Sequence, residues 1–149
     1  MNLFGVMDIS GSALKAERVR AEVVASNMAN AETTRTADGG PYRRHHVVFS
    51  AVDANSFGAS LLGQAGFAKG TDAAGGVAVS GVIEDQSGPL MRFDPEHPDA
   101  GPDGYVAYPD INPLTEMTDL MGATRSYGMN ASAVQAEKGM LSNSLEILK

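Results

Sequence analysis

The chain has no cysteine and no tryptophan among its 149 residues. The first absence excludes disulfides and thiolate metal sites and fits either redox compartment. Aromatics are only 6% and glycines number 17, so the expected core is thin and much of the chain irregular. Basic residues are few: 11 Lys and Arg against 18 Asp and Glu leave a net charge of −7. Nucleic acid and anionic lipid surfaces need a basic footprint, so neither is expected as a partner. No run approaches 18 apolar residues, so no membrane insertion is expected. The opening MNLFGVMDIS has no Lys or Arg before its apolar residues and reaches Asp8 early, unlike a secretory signal peptide. Any export is therefore expected to leave the N-terminus uncleaved.

Catalytic signatures are missing as well. There is no GxSxG, no GxGxxG and no GxxxxGK[ST]. Ser, His and Asp all occur, but without an elbow or paired context for a triad. No cofactor is expected.

The chain is 43% hydrophobic and the length of one ordinary domain. It divides into a helical arm (1–36), a β-rich middle (37–111) and a second helical arm (112–149). The fold class expected is α+β, with the two arms forming a coiled-coil-like inner layer and a small β-rich outer piece. In the first arm Met7, Leu14, Ala21 and Met28 recur every seven residues, with Leu3, Val24 and Ala25 beside them. Val6, Ile9, Ala13, Ala16 and Val23 widen the apolar arc to roughly 200°, twice what one neighbour requires. Glu17 and Arg20 interrupt it.

The second arm begins with Asn112 as N-cap and Pro113 as first helical residue, where its missing N–H costs nothing. Glu116 and Asp119 suit the positive end of the helix dipole, and Lys149 the other. Leu120, Tyr127, Val134, Leu141 and Leu148 repeat every seven residues, and Met117, Thr124, Ala131, Lys138 and Leu145 form the companion row. Heptads kept this long predict a coiled-coil seam. Gly122, Gly128 and Gly139 each cost about 1 kcal/mol relative to Ala inside a helix. Ordering roughly 60 arm residues costs about 1–2 kcal/mol each, more than one two-helix seam returns. The arms are expected to become ordered only with several neighbours, so the subunit interface is assigned to the heptad residues. A hairpin of the two arms folded on the β piece is the intramolecular alternative.

In the middle, YRRHHVVFSAV (42–52), VAVSGVI (77–83) and GYVAY (104–108) read as strands, with a flexible Gly-rich loop over 56–76 and a turn at SGP before PLMRF. His45 and His46 point to opposite faces of a strand and cannot chelate one ion together. Arg43 and Arg44 form a basic spot, read as a solvated face or as an ion-pair partner for an acidic neighbour. Tyr105 and Tyr108 are read as strand packing. DPEHPDAGPDG (94–104) gathers carboxylates around His97, but its spacing matches neither an EF-hand nor a zinc motif. It reads as a rigid loop. A metal-dependent enzyme using Glu96, His97 and Asp99 is one alternative function, and a soluble coiled-coil adaptor or export chaperone is another.

Three stretches carry a family resemblance. ASNMANAETT (25–34), following an amphipathic helix, resembles the N-terminal signature of flagellar rod, hook and hook-filament axial proteins. DPEHPDAGPDGYVAYPDIN (94–112) is similar to the segment typical of the FlgC family of proximal rod proteins. The ending from Asn112, with RSY and AEKGML, resembles that family's C-terminal helix. Asp110, where Asn is usual, and Met28, where Leu is common, are small departures. The resemblance implies a structural subunit of the bacterial flagellar basal-body proximal rod, stacked helically to pass torque from the membrane ring to the hook. It implies paired terminal helices lining the inner tube and passage through the flagellar type III export apparatus without signal cleavage. Other proximal rod proteins and the ring-to-rod junction protein are the implied partners. In that setting Asn27 and Asn30 are expected to end the first helix, since Asn tolerates left-handed backbone and caps carbonyls, and to join the interface set.

Overall fold

The computed structural model describes residues 3–37, 39–52 and 75–147. Helix α1 (Leu3–Ala29) is followed by strands β1 (His45–Val52), β2 (Gly76–Glu84), β3 (Leu90–Phe93) and β4 (Tyr105–Tyr108), then helix α2 (Pro113–Ile147). Two long terminal helices around a small β region make the α+β class. β1 pairs with β2, and β3 with β4, as two separate two-stranded sheets. The expected loop at 56–76 lies outside the described residues, apart from Gly75 and Gly76, and Gly76 opens β2. Leu148 and Lys149 also lie outside them.

Local chemistry accounts for the helix ends. The Asn112 side chain accepts the Leu114 N–H at 3.0 Å and its carbonyl accepts the Glu116 N–H at 3.1 Å. This is an N-cap with proline just inside it. At the end of α1, Asn30 donates both its backbone N–H (3.1 Å) and its side-chain amide (2.9 Å) to the Ser26 carbonyl. The expected left-handed Asn is corrected: among the described residues only Gly39, Gly40 and Gly104 have positive φ. A side-chain amide cap closes the helix without a left-handed residue.

The described residues group into two compact units, those within 1–18, 49–80 and 124–149, and those within 19–48 and 81–123. In the first, Ser10, Ala16 and Glu137 are buried. Ser12 Oγ donates to the Ile9 carbonyl at 2.7 Å and accepts the Val77 N–H at 3.1 Å, tying α1 to the start of β2. A Cβ on Gly76 would sit 2.9 Å from that hydroxyl, so the approach needs glycine.

The second unit holds the β3–β4 hairpin, antiparallel with Met91 opposite Ala107 and Phe93 opposite Tyr105. Its apolar interior is Val24, Val106 and Ala123, with Asn27 and Glu116 buried beside them. Asn27 meets Glu116 and Arg20 meets Asp119, so here α1 and α2 run side by side in opposite directions.

The row of α2 buried within the chain stands one residue before the companion row. Met117, Thr124, Lys138 and Leu145 of the companion row are exposed. Glu116, Ala123 and Glu137 are buried instead, with Asn130 half-buried. Each stands four residues before Leu120, Tyr127, Val134 or Leu141. The inward row is small or polar: Glu116 is held by Asn27 and Arg44, distant in sequence, and Asn130 donates to the Ser126 carbonyl one turn back.

Candidate functional site

The densest cluster of buried polar groups lies in the second unit, where the ASNMANAETT segment meets the start of β1. Asn27 is 1% exposed. Its Oδ1 accepts the His45 N–H at 2.9 Å, and its Nδ2 donates to the His45 carbonyl at 2.9 Å and to Glu116 Oε2 at 3.2 Å. The Tyr42 hydroxyl donates to Asn27 Oδ1 at 3.3 Å and lies 2.8 Å from His45 Nδ1. A carboxamide carries one acceptor and two donors' worth of hydrogen, and this one uses both ends.

Glu116 is fully buried and would be costly as a lone charge. Arg44 answers it: Nε donates to Oε1 at 2.7 Å and Nη2 lies 2.5 Å from the same oxygen. Asp119 stands further off, 3.7 Å from Arg44 and 3.6 Å from Arg20, at a partly exposed rim where such pairs contribute little. Arg44 is thus an ion-pair residue and Arg43 the exposed one. The two histidines part as expected: His45 faces Glu84 (3.7 Å) and His46 faces Asp85 (3.3 Å). The Ser87 hydroxyl (2.7 Å) and N–H (2.9 Å) on Asp85 Oδ1, followed by the contact with His46, hold the Asp85 carboxyl down at about 2.

The 94–104 loop uses its polar groups on itself and on the segment after α1. His97 Nδ1 accepts the Asp99 N–H at 3.1 Å, and Asp99 Oδ2 accepts from Thr34 at 2.8 Å. Among the described residues no three His, Asp or Glu side chains gather as a metal site would require. Tyr108 packs edge-on to His97 and under Arg92, and Tyr105 packs against Phe93. A cleft of about 140 Å³ lies beside Tyr42, Arg44 and Asp85, and a larger, shallow one of about 460 Å³ beside Thr34, Arg35 and Asp99.

The interface candidates are scattered by burial. Val24 and Asn27 are buried within the chain itself. Met7, Leu14, Ala21, Met28, Asn30, Leu120, Val134 and Leu141 are half-buried, Tyr127 is exposed, and Leu148 lies outside the described residues. Spacing missed the exposed stripe of Leu114 (72%), Met117 (50%) and Met121 (60%) as a unit. It offered Arg43 and Arg44 as an ion-pair partner for an acidic neighbour without identifying that neighbour as Glu116.

Two family models match: "Flagella basal body rod protein" over residues 7–35 and "Flagellar basal body rod FlgEFG protein C-terminal" over residues 103–147. Curated relatives named flagellar basal-body rod protein FlgC align end to end. The Bacillus subtilis protein is 43% identical, over all of both chains. That of Salmonella typhimurium is 39% identical over 99% of this chain and 98% of its own. The Borreliella burgdorferi protein is 33% identical over 100% of this chain and 99% of its own.

Proposed function

The chain belongs to the FlgC family of flagellar basal-body rod proteins, and we propose from this that it is a structural subunit of the proximal rod whose helices carry load between neighbours. The observation that bears most weight is the start of α2. Its outward side presents Leu114, Met117 and Met121, while Glu116 and Ala123 face inward. Apolar surface at i, i+3 and i+7 of one helix is a stripe made for packing. Here it faces away from the chain's own interior. Gly122, Gly128 and Gly139 add to this: among the described residues nothing within 4 Å would meet a Cβ at any of them. Their helix cost finds no packing reason among the described residues and leaves room for another helix to approach.

The proposed interface joins this stripe to Met7, Leu14, Ala21, Met28, Leu120, Tyr127, Val134, Leu141 and Leu148, with Val24, Asn27 and Asn30 fixing the geometry of the first arm's end. Apolar seams of this kind interdigitate with other rod proteins and with the ring-to-rod junction protein, and resist shear as the rod turns. No reaction is assigned. The subunit reaches its place through the flagellar type III export apparatus with its N-terminus intact, an order of events that suits arms completed only on assembly. No helix among the described residues is long and apolar enough to cross a membrane.

Fractionation tests the reading. Recovery of the chain with purified basal bodies supports it. Recovery solely from the cytosol sinks it in favour of an adaptor or export chaperone.

A further inference from the structure

The outer edge of β4 is open at one residue. The Asp94 N–H donates to the Gly104 carbonyl at 3.0 Å, continuing the register that sets Phe93 opposite Tyr105 and Met91 opposite Ala107. Bonded and unbonded pairs alternate along an antiparallel ladder. Arg92 with Val106 and Leu90 with Tyr108 are therefore the bonded pairs, and Tyr105 and Ala107 turn their N–H and carbonyl groups away from β3. On that outer side the Tyr105 carbonyl accepts the Gly101 N–H at 2.9 Å. Ala107 is the next outward residue, and no described residue hydrogen-bonds its N–H or carbonyl there. Asn27 answers the like pair of groups on His45. No described residue answers this one.

The shallow cleft of about 460 Å³ opens at this edge, lined by Ala107 together with Arg35, Pro41, Pro98 and Asp99. Pro41 and Pro98 have no N–H to give the Ala107 carbonyl. The Arg35 side chain is 78% exposed and meets Asp99 Oδ1 at 3.6 Å, while Asp99 Oδ2 accepts from Thr34 at 2.8 Å. A guanidinium has more N–H donors than one such contact uses. Unpaired backbone groups on a strand edge are a template for another strand, and a cation with donors to spare beside them favours an acidic one. We propose that this cleft binds an extended, acidic segment of another protein chain. One residue of that segment exchanges two backbone hydrogen bonds with Ala107, and a neighbouring carboxylate meets Arg35.

The occupant is a peptide for a chemical reason. Ala107 offers one donor and one acceptor side by side, and an extended backbone presents the same two groups in reverse. A free carboxylate or sulfate ion meets Arg35 but has no donor for the Ala107 carbonyl. Two backbone bonds and one exposed ion pair make the contact weak for an isolated peptide. None of the residues involved belongs to the heptad rows, so the site stands independently of the rod reading.

The test uses the purified full-length chain, isotope-labelled for NMR. In the chain alone the Ala107 amide is expected to exchange with deuterium at least about tenfold faster than those of Val106 and Tyr108. A protected Ala107 amide overturns the proposal, because the edge is then already filled. So does an Ala107 signal that moves as the chain alone is concentrated, because a second copy then takes the site. The probe is a blocked pentapeptide of Ala and Val with Asp at its centre. It is expected to shift the Ala107 amide saturably and to slow its exchange. The same peptide N-methylated along its backbone, or with Lys in place of Asp, is expected to bind at least about tenfold more weakly, as is the Asp peptide to the Arg35→Glu chain. Ala107→Pro removes the outward N–H on an edge strand, where proline is tolerated. It is expected to keep the native urea midpoint and lose the peptide. Should that variant fold poorly, the N-methylated peptide on the native chain tests the same bond. No shift at Ala107, or equal binding of the N-methylated or Lys peptide, overturns the proposal and leaves the rod reading standing.

Discussion

Asn27 holds His45 as a neighbouring strand would: Oδ1 takes the His45 N–H and Nδ2 gives to the His45 carbonyl, each at 2.9 Å. Two residues of an antiparallel pair exchange the same two bonds. One side chain near the end of α1 therefore sets where β1 begins, and its remaining donor reaches Glu116 on α2.

Replacing Asn27 with Ala leaves the His45 backbone groups and Glu116 Oε2 short of partners in a buried place. Each unsatisfied group costs about 1–3 kcal/mol, so the chain is expected to lose about 2–4 kcal/mol. Asn27→Asp keeps the acceptor but loses the donor and sets a charge against Glu116, so it is expected to do no better at neutral pH. A urea titration reads both as a lower midpoint at unchanged slope.

Glu116 and Arg44 depend on one another. Glu116→Ala removes the buried partner of Arg44, and Arg44→Ala strands a buried carboxylate. Each single change is expected to cost about 3–5 kcal/mol, and the double variant less than the sum. A double-mutant cycle measures the coupling, and simple additivity would contradict the pairing.

Asp85 gives a pH signature. Its folded pKa, about 2, lies below the ordinary carboxylate value. A depressed carboxyl contributes stability above the unfolded value and loses it as pH falls through the folded one. The difference in stability between the native chain and Ser87→Ala is therefore expected to be present from pH 5 upward and to shrink between about pH 4 and pH 2. Melting curves across that range provide the check.

Glu137 is 4% exposed, and its Oε2 has no hydrogen-bond partner among the described residues. Exchanging a poorly satisfied buried carboxylate for an apolar side chain of similar length is expected to stabilise the fold by about 1–3 kcal/mol. Hydrogen exchange along the second half of α2 in Glu137→Met should slow accordingly. Faster exchange would show that the carboxylate has a supporting role.

Much of this architecture is legible in the residues. Proline and asparagine at 112–113 announce where α2 starts, and β-branched runs announce β1 and β2. The family signature at 25–34 is legible too, but not the use to which Asn27 puts its amide, because that depends on a backbone group 18 residues away in the chain. The inward row of α2 escaped for a related reason. Glu116 looks like a dipole-favouring residue at a helix start, and only Arg44, 72 residues upstream, makes its burial tolerable. Heptad counting gives the rows but not which of them turns inward, and this chain turns Met117 and Met121 out and Ala123 in.

That outward turn is the centre of the account, and Met117→Asp probes it most directly. Met117 is half exposed in the chain, so the purified variant should melt within about 0.5 kcal/mol of the native protein, as surface changes do. In cells the account predicts that the same variant is made but missing from purified basal bodies, and that the cells do not swim. A variant that enters basal bodies at the native level and supports normal swimming would contradict the assignment of this stripe to neighbours in the rod.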